Sequence, residues 1–277
     1  MSIKPGIWTI IKTMQGFSLV PTTFTKENIL EEYIVTEDIN AKIDGFFDSS
    51  DVYKKYGIFP KRGALLYGLP GCGKSCAITN VANHQVKNAK TAIVVWHTDK
   101  YEASEVSSFI KAFEYEKHGV VRFILIAEDI GGVEVDQVRQ RSDSSLLSLL
   151  DNVENTFKVP TYVIATTNHI SNFLDNLTNR PGRFDDKIPV KQPPAAARGK
   201  FLEFFSNSEA TPEDVKEITK SGYDEFSIAH VKEAFIRSKI YKLSLIESMK
   251  LVKKEIELYK KAFVEGKASI GMGSYES

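Results

Sequence analysis

The sequence predicts an α/β fold, a mostly parallel αβα sandwich followed by a small helical domain. Strand-length, continuously apolar runs at Ala64–Tyr67, Ala92–Trp96, Val121–Ala127 and Thr161–Thr166 alternate with longer amphipathic segments. Parallel strands covered by helices on both faces require that pattern. The connecting stretches, such as SCAITNVANHQVKNA and SSLLSLLDNVEN, are long enough for βα crossovers. After Pro193 and Pro194 the strand pattern stops and only helical pattern follows.

Taken in order, residues 1–40 mix β-branched and aromatic stretches, GIWTIIKTM and GFSLVP, with a more helical KENILEEYI, and read as a partly β N-terminal extension. Residues 41–192 hold the four apolar runs and a fifth short strand, KIPV at Lys187–Val190. Residues 193–265 read as helical. Thr211 is placed to cap TPEDVKEITK, with Pro212 in its first turn and Asp214 answering the cap, and Ser227 is placed to cap the next helix. Residues 266–277 read as a flexible tail.

The 277 residues allow one α/β core and a satellite domain. Lys+Arg and Asp+Glu both number 36, so the formal net charge is 0 and gives no global preference for nucleic acid or an anionic membrane. Two cysteines and five scattered histidines supply neither a disulfide framework nor a four-ligand zinc site. A reducing, cytoplasmic setting is expected. The apolar stretch near Ile7–Ile11 is too short for a spanning helix and lacks a cleavage pattern, so no transmembrane segment is expected.

The strongest local signal is GLPGCGKS, comprising Gly68, Leu69, Pro70, Gly71, Cys72, Gly73, Lys74 and Ser75, a GxxxxGK[ST] pattern between an apolar strand and a helix. Its glycines let successive backbone N–H groups curl around a phosphate, and the helix N-terminus adds a favourable field. Lys74 reaches the β- and γ-phosphates of ATP while the Ser75 hydroxyl ligates Mg²⁺. Cys76 follows directly in the expected nucleotide-binding run. A second strand, FILIAEDI, releases Glu128 and Asp129 at its C-terminal edge, where α/β sheets place ligands. One carboxylate would hold the metal shell, expected of Glu128, and the other would orient or deprotonate the attacking water. Asn168 ends the fourth run beside these acids. Arg180 and Arg183 flank a Pro-Gly turn, from which both guanidinium groups would point outward toward a neighbour's phosphates.

In combination, YKKYGIFPKRGALLYGLPGCGKS, FILIAEDI, TYVIATTNHISNFLDNLTNRPGRFD and EFSIAHVKEAF resemble the AAA+ ATPases. The resemblance is to the classical AAA clade and, in places, to its mitochondrial inner-membrane chaperone branch. It runs from about Ala41 to about Leu243 and implies a P-loop NTPase αβα sandwich with a parallel five-stranded sheet of order 5-1-4-3-2 and a helical lid. It further implies ATP at a subunit interface and a homo-oligomer, expected to be a hexamer. Arg180 and Arg183 match arginine fingers acting in trans, and Asn168 matches the γ-phosphate sensor. Tyr56, Gly57 and Ile58 match the adenine-pocket segment, whereas Ser227, Ile228 and Ala229 match the lid segment that closes over the nucleotide. Lys100 and Tyr101 fall at the first pore loop.

The chain departs from the family pattern at several points. The usual Asp-then-Glu pair is reversed to Glu128-Asp129, an order also seen in the inner-membrane chaperone branch, so slower hydrolysis is expected. Leu69 and Cys72 replace the common Pro and Thr, and Cys72 reads as a small loop residue. The segment IGGVEVDQVRQ, with Gly131 and Gly132, departs from the usual second pore loop. Neither a metalloprotease HExxH motif nor a recognisable nucleic-acid reader occurs. The leading expectation is ATP-driven remodelling or assembly of protein complexes, with a protein substrate or adaptor as partner. The alternatives are a nucleic-acid-directed accessory ATPase, such as a helicase loader or packaging factor using Lys100, and an ATP-gated scaffold with very slow hydrolysis. So short a design would suit a virus-encoded protein.

Overall fold

Alternation along each strand sorts the core into two layers, one on either side of a central sheet. In the computed structural model, residues 1–24, 36–98, 100–130, 150, 156–168 and 183–271 are described, with side chains through 261. They fall into two compact units, Met1–Lys191 and Gln192–Ser277.

In the first unit the strands are β1 (Gly6–Thr13), β2 (Gly16–Pro21), β3 (Lys61–Tyr67), β4 (Thr91–His97), β5 (Arg122–Glu128), β6 (Thr161–Thr167) and β7 (Asp186–Pro189). They form one sheet of order β2-β1-β4-β5-β6-β3-β7. The β1–β2 hairpin is antiparallel and every other pairing is parallel. The helices are α1 (Thr36–Asp48), α2 (Ser50–Lys55), α3 (Lys74–Gln85) and α4 (Ala103–Lys111). One sheet face packs Leu65, Trp96, Leu125 and Val163 against Val106 and Ile110 of α4. The other packs Leu66, Val95, Ile126 and Ile164 against Ile39 and Ile43 of α1 and Ala77 and Val81 of α3.

The expected parallel sheet of five strands is corrected to a mixed sheet of seven. The five strands read from the sequence occupy the run β7-β3-β6-β5-β4, and the N-terminal hairpin lengthens the sheet beyond β4. The cause is a parallel register of Gly6 to Thr9 against Ala92 to Val95. It covers β4's edge and buries Ile3 and Ile10 in the core, each 1% exposed. The expected helical stretch KENILEEYI lies outside the described residues, as does SSLLSLLDNVEN apart from Leu150.

The second unit is helical: α5 (Ala195–Phe205), α6 (Pro212–Ile218), α7 (Ile228–Tyr241) and α8 (Leu245–Gly271). Thr211 and Asp214 form a reciprocal capping box on α6, as Ser227 and His230 do on α7. Arg198, 1% exposed, ties the unit together by donating to the carbonyls of Pro193, Ile218 and Lys220 and to Asp224. Helix α8 continues to Gly271, beyond the expected start of the tail. Among the described residues no helix is long and apolar enough to cross a membrane.

If the hairpin belongs to the cooperative sheet, Ile10→Ala should destabilise the protein by about 2–4 kcal/mol, the range for emptying a buried aliphatic site. Urea unfolding measures this; a change below about 0.5 kcal/mol, typical of surface positions, would detach the hairpin from the core.

Candidate functional site

The C-terminal edge of the sheet gathers the candidate groups because neighbouring parallel strands end in step. Tyr67 pairs with Thr167 across β3 and β6, and His97 pairs with Glu128 across β4 and β5. Beyond Tyr67 the chain turns through Gly68 (φ 154°), Gly71 (φ 76°) and Gly73 (φ 98°) before α3 begins at Lys74. At Gly68 a Cβ would come within 2.1 Å of the Val190 carbonyl oxygen, so only glycine lets the loop leave the sheet there. The Lys74 ammonium donates to the carbonyls of Gly68 (2.6 Å) and Leu69 (2.9 Å), and Lys74 is buried. Burial lowers its pKa, opposed by neighbouring Cys72 and Asp129. Leu69, Pro70, Gly71 and Ser75 are exposed at the loop surface, Cys76 is half-buried, and Cys72 is buried. Burial raises the Cys72 thiol, with Lys74 opposing, which is the state of an inert packing residue rather than a nucleophile.

Glu128 closes β5 and Asp129 begins the turn that follows. Burial pushes the Glu128 carboxyl up, His97 opposes and Asp129 reinforces the shift. His97 Nδ1 lies 3.4 Å from Glu128 Oε2. The Thr98 hydroxyl donates to the Glu128 carbonyl at 2.9 Å. Asn168 Nδ2 donates to Asp129 Oδ1 at 2.8 Å. The loop, Lys74, both carboxylates and Asn168 thus share one sheet edge. Sequence reading did not single out His97, although its place at the end of the strand before the acidic one was a usable signal.

The residues present fit a magnesium nucleotide. Glycines at positive φ give the loop the conformational freedom to wrap its N–H groups around a phosphate, the buried Lys74 ammonium lies against the loop's own carbonyls, and Ser75 is exposed at the first turn of α3. Among the described residues no three His, Cys, Asp or Glu side chains cluster to hold a metal alone. Mg²⁺ would draw on Ser75 and Glu128 and complete its shell from phosphate oxygens and water.

The other expected site residues have these surroundings. Tyr56, Gly57 and Ile58 follow α2 and are exposed, with Gly57 and Ile58 donating to the carbonyls of Lys54 and Tyr53. Ser227 and Ala229 belong to the second unit, where Ser227 is buried as the α7 cap and Ala229 is exposed. Arg180, Gly131 and Gly132 lie outside the described residues.

One expectation is corrected. Arg183 does not project outward: it is 6% exposed, in the turn into β7. Its carbonyl accepts from Lys61 at 3.2 Å and lies 2.6 Å from where a Gly63 Cβ would be. That puts it beside the start of β3, about 16 Å of strand away from the loop at the other end. Tyr101, expected at the first pore loop, is held by the N-terminal hairpin. Its ring stands edge-on to Phe17 at 5.2 Å. Its hydroxyl accepts from the Lys12 N–H at 3.1 Å, and its carbonyl accepts from the Trp96 indole at 3.2 Å. Lys100 beside it is exposed.

Comparison with known proteins agrees with this geometry. Residues 64–192 match the family described as ATPase family associated with various cellular activities (AAA). The chain is 31% identical over 239 residues to the ATPase family gene 2 protein of Schizosaccharomyces pombe, covering 81% of this chain and 29% of that protein. It is 29% identical over 256 residues to the proteasome-associated ATPase of Nakamurella multipartita, covering 78% and 43%. It is 26% identical over 238 residues to the proteasome-activating nucleotidase of Saccharolobus solfataricus, covering 83% and 59%. The chain therefore spans well under two thirds of the length of these relatives.

A carboxyl raised by burial weakens the fold when ionised, so the penalty is absent below the ordinary Glu range near ~4.3 and grows as pH rises through the raised value. Glu128→Gln should therefore raise the Tm of the metal-free and nucleotide-free protein by about 1–3 °C at pH 7.5, with a smaller gain at pH 4.5. Calorimetry at both pH values checks this; equal Tm values at pH 7.5 would mean that His97 offsets the burial completely.

Proposed function

We propose, taking as premise the AAA-type ATPase domain that residues 64–192 carry, that this chain hydrolyses ATP and uses the cycle to remodel or assemble protein complexes as a homo-oligomeric ring. The observation that carries this reading is the shared strand edge on which Lys74, Glu128, Asp129 and Asn168 meet a loop of left-handed glycines.

Mg²⁺–ATP, when bound, supplies an electrophilic γ-phosphorus with its charge partly neutralised. The loop N–H groups and the start of α3 hold the phosphates, and Lys74 places its ammonium against the β/γ oxygens. Ser75 and Glu128 hold the metal; a divalent cation beside Glu128 would reverse the effect of its burial and keep it ionised. Asp129 accepts a proton from water at its carboxylate, and Asn168 orients that carboxylate by donating to Oδ1. An aspartate reaches less far than a glutamate, so turnover is slow. Tyr56, Gly57 and Ile58 border the adenine, Ser227 and Ala229 serve as lid contacts, and Arg180 acts in trans from a neighbouring subunit of a hexamer. The Glu128-Asp129 order is the feature that favours kinship with the mitochondrial inner-membrane chaperone branch.

Protein clients are favoured because relatives in the comparison are named for association with, or activation of, the proteasome. Asp129→Asn protein, prepared from its native extract with ATP present, tests this. A specific protein enriched only with ATP is the expected result; nuclease-sensitive nucleic acid in its place would overturn the protein-directed reading.

Lys74→Ala should weaken ATP binding at least about tenfold, as loss of a buried charge facing phosphate requires, measured by titration with a fluorescent ATP analogue. Unchanged affinity would remove Lys74 from the site. Asp129→Asn should keep ATP affinity within a few-fold while lowering turnover by roughly 10²-fold, the scale of lost general-base catalysis. Steady-state phosphate release measures it, and wild-type turnover would exclude Asp129 as the base.

A further inference from the structure

Among the described site residues, Asp129 is the one non-glycine residue whose backbone adopts a conformation that L residues seldom take. Its φ is 55°, in the left-handed region that Asp tolerates better than most non-glycine residues. Such a bend persists only where its surroundings impose it, and here Thr166 of the adjacent strand takes two successive N–H groups of the turn while the Thr98 hydroxyl reaches the Asp129 carbonyl at 3.4 Å from the other side. The β5–β6 register runs as far as Ala127 opposite Ala165. Past it, the Thr166 hydroxyl accepts the Asp129 N–H at 2.9 Å, and the Thr166 carbonyl accepts the Ile130 N–H at 2.8 Å. Thr166 itself is fixed, 5% exposed and aligned with Leu66 of β3 on its other side.

The geometry has a consequence for the carboxylate. Residues two apart on a strand face the same side, so Thr166 and Asn168 approach the turn together. Thr166 grips the backbone of Asp129 while Asn168 Nδ2 takes its Oδ1 at 2.8 Å. Glu128, one residue earlier, is held from the opposite strand, where the Thr98 hydroxyl donates to its carbonyl. Thr98, just past β4, thus contacts the carbonyls of both acids, and Asp129 is in addition held from the β6 side by Thr166 and Asn168.

We propose that Thr166 is a positioning residue for Asp129, its hydroxyl and carbonyl fixing the left-handed turn that delivers the carboxylate to Asn168. This two-point clamp lets an aspartate in the second acidic position serve as the water-activating base. The inference rests on the reading of Asp129 as that base. It differs from a plain strand-end role for Thr166 because it requires the hydroxyl oxygen, and not merely a side chain of that shape.

The test compares Thr166→Val, Thr166→Ser, Asp129→Asn and the double variant Thr166→Val/Asp129→Asn, all as full chains. The readouts are kcat, ATP affinity by analogue titration and thermal melting. Thr166→Val keeps the shape and the carbonyl but loses the acceptor. It should lower kcat at least about tenfold, as misplacement of a reacting group does, with ATP affinity unchanged within twofold. Thr166→Ser should recover most of the rate, and Thr166→Val should cost nothing further in the Asp129→Asn background. Thr166→Ala replaces valine should the latter not fold. Wild-type kcat in Thr166→Val, a serine variant as slow as the valine one, or a loss confined to ATP affinity would each overturn the clamp. Inactive Asp129→Asn with fully active Thr166→Val sinks this inference alone, whereas fully active Asp129→Asn sinks the base assignment and the clamp with it.

Discussion

The parallel pairing of β3 with β6 is the constraint on which the candidate site depends. The ladder runs without slippage from Lys61 opposite Thr161 to Tyr67 opposite Thr167, and it is closed by the Gly68 N–H donating to the Thr167 carbonyl at 3.3 Å. One residue of slip would send every side chain of β6 to the other face. It would move Thr166 and Asn168 away from Asp129 and separate the glycine loop from the acids. The close approach of Gly68 to Val190 fixes the other side, since β7 must pass directly beneath the loop. The glycine turn is thus held between two strands rather than hanging from one.

Within that frame the charges are arranged against their own preferences. Burial disfavours ionised Lys74 and ionised Glu128 alike, and Asp129 lies near enough to both to support the first and oppose the second. A site that is uncomfortable by itself gains most from a ligand bringing both a cation and an anion, as a magnesium nucleotide does. The backbone bend at Asp129 belongs to the same economy of design: local strain is tolerated where neighbouring strands over-determine it.

Much of this was legible in the sequence for reasons of physics. Buried parallel strands must be continuously apolar, and a phosphate loop must have glycines where φ is positive, so β3 to β7 and Gly68 to Ser75 could be read directly. The capping boxes at Thr211 and Ser227 were legible because capping is local. What could not be read was non-local. Nothing in GIWTIIKT announces that it will pair with the edge of β4, because edge pairing has no local signature. The left-handed turn at Asp129 depends on a hydroxyl 37 residues away in sequence. The buried anchor Arg198 looks, as a string, like any surface arginine.

The surroundings of Arg183 and Tyr101 share a cause, and it lies at the margins of the sheet. Beyond β4, the hairpin brings Lys12 and Phe17 onto Tyr101, and a Lys12–Glu105 ion pair at 2.8 Å fastens β1 to α4. At the other edge, the turn into β7 presses Arg183 against Gly63. There Asp185 exchanges hydrogen bonds with the Gly63 backbone, and Asp186 pairs with Lys42 and Arg62. In each case a residue that a motif would leave free lies where the chain closes an edge that would otherwise expose unpaired backbone groups. Motif position is therefore most informative where strand ends converge, and least so at the sheet's margins, where long-range edge protection decides what surrounds a side chain.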